Sequence, residues 1–320
     1  MKALVFKEIN APLAVEERPT PEPRSGEALV AIRAAALNRR DYFITKGLYP
    51  GLRPGTIVGS DGAGVAEGRE VIVNPSLQWG DDPAVQGPDY HIIGMPTDGA
   101  FAGYVVVPEE NLFDKPAHLT FEQASALPLA GLTAYRTLFT RCALRLGERV
   151  LVTGVGGGVA LFALQFAVAA GAEVFVTSGS DDKIGRAVAL GARGGVNYRS
   201  EGWDKLLKKE AGGFDVVIDG AGGPGFALLL KLCKPAARVG SYGGTLGKVP
   251  DFSPQLLFWK QLNLLGSTMG SPADFAGMIE LVNRHGIVPV VDSVFPLERA
   301  NEAIARMGAG EQFGKLVLSL

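Results

Sequence analysis

The sequence predicts an α/β protein in which a doubly wound parallel sheet is joined to a second, mostly β domain. At 320 residues the chain is too long for one small core, which favours two domains. Residues 1–110 hold short β-like runs separated by Pro- and Gly-rich turns, and helical periodicity is scarce there. From about residue 119, buried-type strands alternate with helix-like segments, which indicates a parallel sheet covered by helices.

The individual elements follow from the same patterns. Strands of the first domain are predicted in ALVF, EALVAIRAAAL, REVIVN and FAGYVVVP. Strands of the second are predicted in RVLVTG, AEVFVTS, FDVVIDG and ARVGSYG, with helices over 158–170, 181–190 and 224–233. The last stretch reads as strand, helix and strand, and we expect it to return to the first domain. The predicted domains are therefore 1–118, completed by about 285–320, and 119–284.

The composition argues against several classes of protein. Hydrophobic residues make up 47% of the chain and charged residues 20%, as in a soluble globular protein. The formal net charge of -2 gives no electrostatic reason to expect nucleic acid or an anionic membrane as a partner. There is no apolar run of bilayer-spanning length, and the N-terminus lacks a signal-peptide core. Two cysteines imply no disulfide framework, so a cytoplasmic protein is expected.

A glycine cluster follows the strand RVLVTG and opens the next helix. Glycines in this context let the backbone turn sharply and approach a pyrophosphate, which the first amides of the helix then face. Ala160 stands where the third glycine of the dinucleotide fingerprint often lies, and a methyl group is tolerated at that packing position. The predicted cofactor contacts in this turn are Gly154, Gly156, Gly157, Gly158 and Val159. A tight strand–helix turn that binds nothing is the alternative interpretation.

The turn TSGS, residues 177–180, bears on which dinucleotide is bound. Units that bind NAD usually end this strand with Asp or Glu, which bonds the ribose 2′-hydroxyl, and no acid stands here. A carboxylate would repel a 2′-phosphate, whereas hydroxyl groups, amides and nearby cations would bind one. We therefore predict NADP(H), contacted by Ser178, Ser180, Lys183 and Tyr198, with Arg199 following directly. An ordinary surface position for Lys183 is the alternative.

Eight short blocks stand in a distinctive order and spacing: LNRRDYFITKGLYPG, IVGSDGAGV, DGAFAGYVVVP, LPLAGLTAYRTLF, VLVTGVGGGVA, VIDGAGG, GSTMG and FGKLVL. Together they resemble the medium-chain dehydrogenase/reductase family, in its zinc-free quinone oxidoreductase type, over essentially the full length. The resemblance implies a GroES-like β domain, made of the N-terminal part and the C-terminal tail, and a Rossmann domain that binds the cofactor.

The residues that match the zinc ligands of metal-containing relatives do not form a ligand set. Those relatives have Cys, Gly-His-Glu and Cys where this chain has Asn38 to Asp41, Gly59-Ser60-Asp61 and Leu129. A catalytic zinc needs three converging nitrogen, sulfur or oxygen side chains. The four-cysteine lobe of structural zinc is also missing, and the three histidines show no ligand spacing. We predict that the protein has no zinc.

Without a metal, reduction would depend on positioning of the hydride and on hydrogen-bond donors. The resemblance implies that Asn38 and Tyr49 face the reacting groups, and Asp41 and Tyr42 lie in the same block. An amide or a phenol could donate to a quinone or enone oxygen as negative charge develops on it. A turn role for Asn38 and a core position for Tyr42 are the alternatives.

Further cofactor contacts are expected from resemblance and from position. The resemblance places Thr133 at the phosphate–ribose region and Lys315 near the cofactor, although a strand-end lysine is an equal interpretation. Residues that follow the later strands, where the switch point predicts the nicotinamide, complete the predicted set: Gly220, Tyr242, Gly243, Ser267 and Thr268.

The expected function is reduction of a quinone, or of the activated C=C bond of an enal or enone, by hydride from NADPH. Two alternatives remain: a cofactor-binding protein with a structural or regulatory role, and a zinc alcohol dehydrogenase.

The resemblance also implies a homodimer joined through sheet edges. The candidate edge is the apolar run QLNLLGSTMG, residues 261–270, in which Leu262, Leu264 and Leu265 have no charge between them. Coverage of this strand by another element of the same chain is the alternative.

Overall fold

A computed structural model describes all 320 residues, which form two compact units. One unit contains Met1–Leu132 and Met269–Leu320, and the other contains Thr133–Thr268. The predicted fold class is confirmed, because a β-rich unit accompanies an α/β unit with a parallel sheet. None of the helices has the length and hydropathy that a membrane span requires.

The first unit begins with nine strands and two short helices: β1 (Lys2–Val5), β2 (Ala14–Glu17), β3 (Glu27–Ala36), α1 (Arg39–Thr45), β4 (Asp61–Ala66), β5 (Arg69–Val73), β6 (Ser76–Leu77), β7 (His91–Ile92), β8 (Tyr104–Pro108), β9 (Leu112–Asp114) and α2 (Phe121–Ser125). The four strands predicted here are present as β1, β3, β5 and β8. Helix α3 (Pro128–Tyr135) contains the boundary between the units, and a π-helical turn, Arg136–Arg141, follows it.

The second unit alternates strands and helices: β10 (Arg149–Val152), α4 (Gly158–Ala169), β11 (Glu173–Ser178), α5 (Asp181–Ala189), β12 (Gly194–Asn197), α6 (Trp203–Ala211), β13 (Phe214–Asp219), α7 (Phe226–Leu232), β14 (Cys233–Ser241), α8 (Pro254–Trp259) and β15 (Asn263–Gly266). The strands and the three helices predicted here are confirmed, and α6 and α8 are additional.

The chain then returns to the first unit through four elements: α9 (Pro272–His285), β16 (Val291–Pro296), α10 (Ala300–Ala309) and β17 (Lys315–Ser319). The return begins earlier than the predicted residue 285. Helix α9 belongs to the first unit because Phe275 is fully buried and packs against Phe113, with ring centroids 4.6 Å apart. Residues 119–132 also join this unit, since the Leu129 amide donates to Asp61.

The six strands of the second unit are parallel and lie in the order β12-β11-β10-β13-β14-β15. The direction of winding reverses between β10 and β13. In sheets of this kind, ligands bind outside the carboxyl ends of the strands at such a switch point. The fold therefore brings the turns that follow β10, β11, β13, β14 and β15 to one edge of the sheet.

Strand β15 is an edge of this sheet, as predicted for the run 261–270. The prediction was wrong for Leu262, which is only 8% exposed and packs in the core of the unit. Leu264 is 39% exposed. The exposed apolar surface at this edge therefore contains fewer side chains than the sequence suggested.

The sheet of the first unit has the order β16-β17-β3-β4-β5-β9, and β8 also pairs with β3. Strand β3 is antiparallel to both neighbours, with Ala36 opposite Asp61 on one side and opposite Val317 on the other. This register brings the end of β3, the start of β4 and the start of β17 together. It also confirms that the C-terminal strand returns to the first domain.

Candidate active site

The glycine turn after β10 has the strand–turn–helix geometry that its sequence predicted. Gly154 and Gly156 have φ angles of 62° and 133°, in the region that favours glycine. Gly157 precedes α4, and no side chain caps this helix. The first amides of α4, on Gly158 and Val159, have no acceptor within the helix and suit an anionic group. The Gly154 amide is different, because it donates to another residue of the protein.

Residues 177–180, at the end of β11, hold the glycine turn in place through hydrogen bonds. The Gly154 amide donates to Thr177 Oγ1 at 3.2 Å, and the Val155 amide donates to the Thr177 carbonyl at 2.8 Å. Ser178, predicted to contact the cofactor, is buried, and its hydroxyl donates to the Val155 carbonyl at 3.3 Å. Ser180 caps α5, since its hydroxyl accepts from the Lys183 amide at 3.4 Å. The Thr177 and Ser178 hydroxyls thus hold the two turns together, whereas the Ser180 hydroxyl caps its own helix.

Three polar groups of the second unit gather over the glycines of these turns. A β-carbon on Gly156 would lie 3.0 Å from Lys183 Cδ and 3.5 Å from its Nζ. A β-carbon on Gly179 would lie 2.8 Å from the Tyr198 hydroxyl and 2.9 Å from Arg199 Nε. Tyr198 is 46% exposed. The structure thus brings Lys183, Tyr198 and Arg199, all named from the sequence, to these two turns.

At the end of β13, Gly220 lies under the ring of Tyr242, and a β-carbon there would stand 2.4 Å from Tyr242 Cζ. Gly243 is equally confined, since its β-carbon would lie 2.8 Å from the Gly220 carbonyl oxygen. Burial, and secondarily the charge of Asp219, raise the pKa of the Tyr242 phenol. This strand end is therefore closely packed around a phenol that stays protonated.

Sequence reasoning missed Asp219, the last residue of β13. One carboxylate oxygen accepts from Thr153 Oγ1 at 2.6 Å, and the other accepts from the Gly222 amide at 2.8 Å. The side chain is 2% exposed. Asp219 therefore ties the end of β10 to the turn after β13, across the switch point.

The remaining predicted residues of this unit lie at its ends. The Ser267 amide donates to the Ser241 carbonyl at 2.9 Å, whereas its hydroxyl is buried and has no hydrogen-bond partner. Thr268, the last residue of the unit, is exposed. Thr133, the first, is buried, and its carbonyl accepts from Thr137 Oγ1 at 2.6 Å.

A separate group of buried polar residues lies in the first unit, where β3 ends and β4 and β17 begin. Lys315 Nζ donates to Asn38 Oδ1 at 2.6 Å and to Asp61 Oδ2 at 2.8 Å. The other oxygen of Asp61 accepts from the Leu129 amide at 2.9 Å. Lys315 was predicted to lie near the cofactor; its ammonium is held by Asn38 and Asp61. We call these three residues the Asn38–Asp61–Lys315 cluster.

Asn38 occupies the N-cap position of α1, so its turn role and its place in the cluster coexist. Asp41, in the first turn of that helix, accepts from the Asn38 amide at 2.7 Å through Oδ2, while Oδ1 has no partner. Burial raises the pKa of Asp41 to about 6, against the lowering effects of Arg40 and of the Asn38 amide. The Asn38 side-chain nitrogen Nδ2 is also buried and has no partner.

Arg40 was not singled out from the sequence, yet it is 7% exposed and central to this turn. Its Nη1 atom donates to Ser60 Oγ at 2.6 Å and to the Ile93 carbonyl at 2.7 Å. Its guanidinium lies 4.7 Å from the centroid of the Tyr49 ring. An Arg in the block LNRRD gives no sequence signal of burial, because arginine is usually exposed.

Tyr42 lies in packing between α1 and α10. A β-carbon on Gly308 would stand 2.7 Å from its ring, and Arg39 lies 4.9 Å from the ring centroid. The ring also packs against the core of the unit. The alternative interpretation of Tyr42, a core position, therefore accounts for these contacts.

The three positions that match zinc ligands carry other interactions. Asn38 Oδ1 is bound by the Lys315 ammonium, Ser60 Oγ accepts from Arg40, and Leu129 has no donor atom in its side chain. Nowhere in the chain do three or more His, Cys, Asp or Glu side chains come together as a metal would require.

Two family models match the chain: the alcohol dehydrogenase GroES-like domain over residues 24–117, and zinc-binding dehydrogenase over residues 158–284. The zinc-type alcohol dehydrogenase-like protein YogA of Leptosphaeria maculans is 37% identical, over 97% of this chain and 95% of its own.

Two solved structures are similar to this chain over its full length. A crystal structure of an NAD-dependent alcohol dehydrogenase has a TM-score of 0.95 and 36% identity, with both chains fully covered. The quinone oxidoreductase of Thermus thermophilus, solved also with NADPH, has a TM-score of 0.83 and 29% identity, again over both full chains. The chain belongs to the medium-chain dehydrogenase/reductase family and is an NAD(P)-dependent oxidoreductase.

Proposed function

We propose that the protein is an NADPH-dependent reductase that transfers hydride to a quinone, or to the activated C=C bond of an enal or enone, without zinc. The observation that carries the proposal is the Asn38–Asp61–Lys315 cluster. It places the Lys315 ammonium on Asn38 Oδ1, at one of the positions that match zinc ligands, and on Asp61 Oδ2. It leaves one buried N–H donor, Asn38 Nδ2, without an acceptor.

The residues at the ligand positions do not fit a catalytic zinc. A tetrahedral zinc site takes three protein ligands, usually His, Cys or carboxylate. Here Ser60 is engaged by Arg40 and Leu129 offers no ligand atom. A divalent cation beside Asn38 would also be repelled by the Lys315 ammonium. The Leptosphaeria relative is named a zinc-type protein, and that name describes the relative alone. In this chain, the residues at the ligand positions argue against zinc.

The turns of the second unit fit NADPH. The uncapped start of α4 and the open space at Gly157 suit a pyrophosphate. The acid-free turn at 177–180, with Lys183, Tyr198 and Arg199 beside it, suits a 2′-phosphate. The Thermus quinone oxidoreductase was solved with NADPH, whereas the alcohol dehydrogenase of higher similarity is described as NAD-dependent. The choice of NADPH therefore rests on this turn.

Bound NADPH would supply the hydride, and the protein would hold the acceptor and stabilise the charge that forms on its oxygen. Asn38 Nδ2 is the donor we assign to that oxygen, because a hydrogen bond made as charge develops lowers the barrier. Tyr49 lies against Arg40 in the same unit and is a second group that could contact the acceptor. Hydride transfer leaves an anion on that oxygen, which takes its proton from water, and no residue is assigned as a dedicated proton donor.

We also propose that the protein is a homodimer joined through β15. An edge strand presents unpaired backbone groups, and strands left with an apolar exposed side chain invite pairing. Leu264 on this strand is 39% exposed, and Trp259, just before it on α8, is 78% exposed. A twofold axis across β15 would bury both copies of Leu264.

A panel of acceptors tests the function. The purified protein is mixed with NADPH and, in separate assays, with a benzoquinone, an enal or an enone. In the reverse direction, it is mixed with NADP and an alcohol. We expect NADPH oxidation with quinones or enones. Turnover of alcohols alone would identify an alcohol dehydrogenase, and nucleotide binding without any turnover would identify a non-enzymatic binding protein.

A further inference from the structure

The Asn38 side chain is held in one orientation by a lysine. A lysine ammonium donates hydrogen bonds and accepts none, so the atom of Asn38 that faces Lys315 must be the oxygen. The 2.6 Å distance from Nζ to Oδ1 agrees with a charge-assisted bond. The NH2 group therefore points away from Lys315. It is buried and has no partner.

Lys315 is in turn fixed by Asp61. Lys315 is 4% exposed and Asp61 is fully buried, so the two charges are shielded from water. Asp61 uses its other oxygen to accept from the Leu129 amide, so both carboxylate oxygens are engaged. The register of β3 with β4 and β17 brings the three residues together from positions far apart in sequence. The ion pair is thus a rigid support behind Asn38.

An unpaired buried donor costs about 1–3 kcal/mol, so it needs a reason to persist. A buried lysine and aspartate need a reason too, because an ion pair buried in a core seldom adds stability compared with apolar residues. Both facts are explained if the pair keeps the Asn38 NH2 group ready for an acceptor that arrives with the substrate. Hydrogen bonding of the amide oxygen to a cation also makes the amide N–H a stronger donor.

We propose that Lys315 and Asp61 are positioning residues that orient the Asn38 amide, so that Nδ2 donates to the oxygen of the substrate being reduced. The identity of that acceptor rests on the proposed function; the orientation of the amide does not. This assignment replaces the expected contact of Lys315 with the cofactor.

The test compares Lys315→Met with Lys115→Met. Lys115 is a matched control, because it is also a buried lysine of the first unit, with 5% of its side chain exposed, and pairs with Glu70. Three quantities are measured on each variant: kcat and KM for the best acceptor, NADPH affinity by fluorescence, and the side-chain NH2 resonances of protein labelled with nitrogen-15 asparagine. Asn38→Asp, which lacks the NH2 group, identifies the Asn38 resonances among those of the eight asparagines.

We expect Lys315→Met to shift the Asn38 NH2 resonances and to lower kcat by about tenfold to about a hundredfold. This is less than, or at the lower end of, the roughly 10²–10³-fold loss that removal of a whole donor causes. NADPH affinity should be unchanged. Lys115→Met should do neither. Lys315→Met leaves the buried Asp61 unpaired, a change that can prevent folding. The double variant Lys315→Met/Asp61→Asn, which removes both charges, is therefore made in parallel and should show the same two changes.

The proposal is overturned if the Asn38 resonances are the same in the folded Lys315 variants as in the wild type. It is also overturned if kcat falls no further than in Lys115→Met, or if the main effect is a loss of NADPH affinity, which would make Lys315 a cofactor ligand. If the wild type reduces no acceptor, the proposed function fails, and the resonances still decide whether Lys315 orients Asn38.

Discussion

The aliphatic stem of Lys183 lies across Gly156, with its Cδ atom 3.0 Å from the point where a β-carbon on that glycine would stand. The lysine comes from the first turn of α5, and the glycine comes from the turn before α4. This contact places a cation beside both the glycine turn and the strand end at residues 177–180. A substitution of Lys183 is therefore the simplest test of whether the second unit prefers NADPH to NADH.

Replacement of Lys183 should weaken NADPH binding selectively. In Lys183→Ala we expect a loss of roughly 1–3 kcal/mol in binding NADPH, from a lost charge-assisted bond to the 2′-phosphate, and little change for NADH. Fluorescence titration with both nucleotides measures this. Lys205→Ala, at an exposed lysine of α6, is the control and should bind both as the wild type does. An equal loss for the two nucleotides would show that Lys183 does not read the phosphate.

An added carboxylate at residue 180 should reverse the preference. Asp caps helices as well as Ser, so Ser180→Asp keeps the N-cap of α5 while it places a negative charge where the 2′-phosphate is expected. NADPH affinity should fall and NADH affinity should hold or rise. Ser253→Asp makes the same change at the N-cap of α8 in the same unit and should alter neither affinity. Unchanged NADPH binding in Ser180→Asp would place the phosphate elsewhere.

The buried carboxyl of Asp41 should give stability a specific dependence on pH. Its pKa is about 6 in the folded chain, above the ordinary 3.8, because of burial. The folded chain therefore binds this proton more tightly than the unfolded chain, and the free energy of unfolding falls as pH rises from about 4 to about 6. Two pKa units correspond to about 3 kcal/mol.

Asp41→Asn should remove that part of the pH dependence. The amide oxygen of Asn can still accept from the Asn38 backbone amide, so α1 keeps its first turn. Urea unfolding of both proteins between pH 4 and pH 7 measures the effect. If the variant loses stability over this interval as steeply as the wild type, another group is responsible.

Light scattering at micromolar concentration tests the dimer. We expect the mass of two chains for the wild type and of one chain for Leu264→Lys, because a charge on the exposed edge of β15 would have to be buried in the contact. Val188→Lys, at an apolar residue of α5 that is 45% exposed, should remain dimeric. Dimers that survive Leu264→Lys would place the interface on another surface.

The sequence predicted the parts of the structure that depend on local patterns. Buried strands and the glycine turn at 154–158 are determined by neighbouring residues, and both are present. Helix α6 was missed although its apolar residues, Trp203, Leu206, Leu207 and Ala211, recur at helical spacing. Leu262 was wrongly expected at the exposed edge, because periodicity alone does not say which side chains of a short apolar run are buried in a core.

The site in the first unit depended on contacts that no local pattern reveals. Asn38, Asp61 and Lys315 meet only because β3 pairs with β4 and β17 in one register. The sequence named Asn38 and Lys315 separately, through a family resemblance, and assigned them to different roles. Arg40 was missed because its burial depends on carbonyl groups of a distant segment, at Ile93 and Met95.

We propose that this chain transfers hydride from NADPH without a metal. The most direct measurement is NADPH oxidation with a quinone and an enone by protein that has been dialysed against EDTA and whose zinc content has been determined. We expect undiminished turnover in protein that contains far less than one zinc per chain, and no gain when zinc is restored. Turnover that is lost on dialysis and returns with zinc, at about one ion per chain, would show that the enzyme depends on zinc.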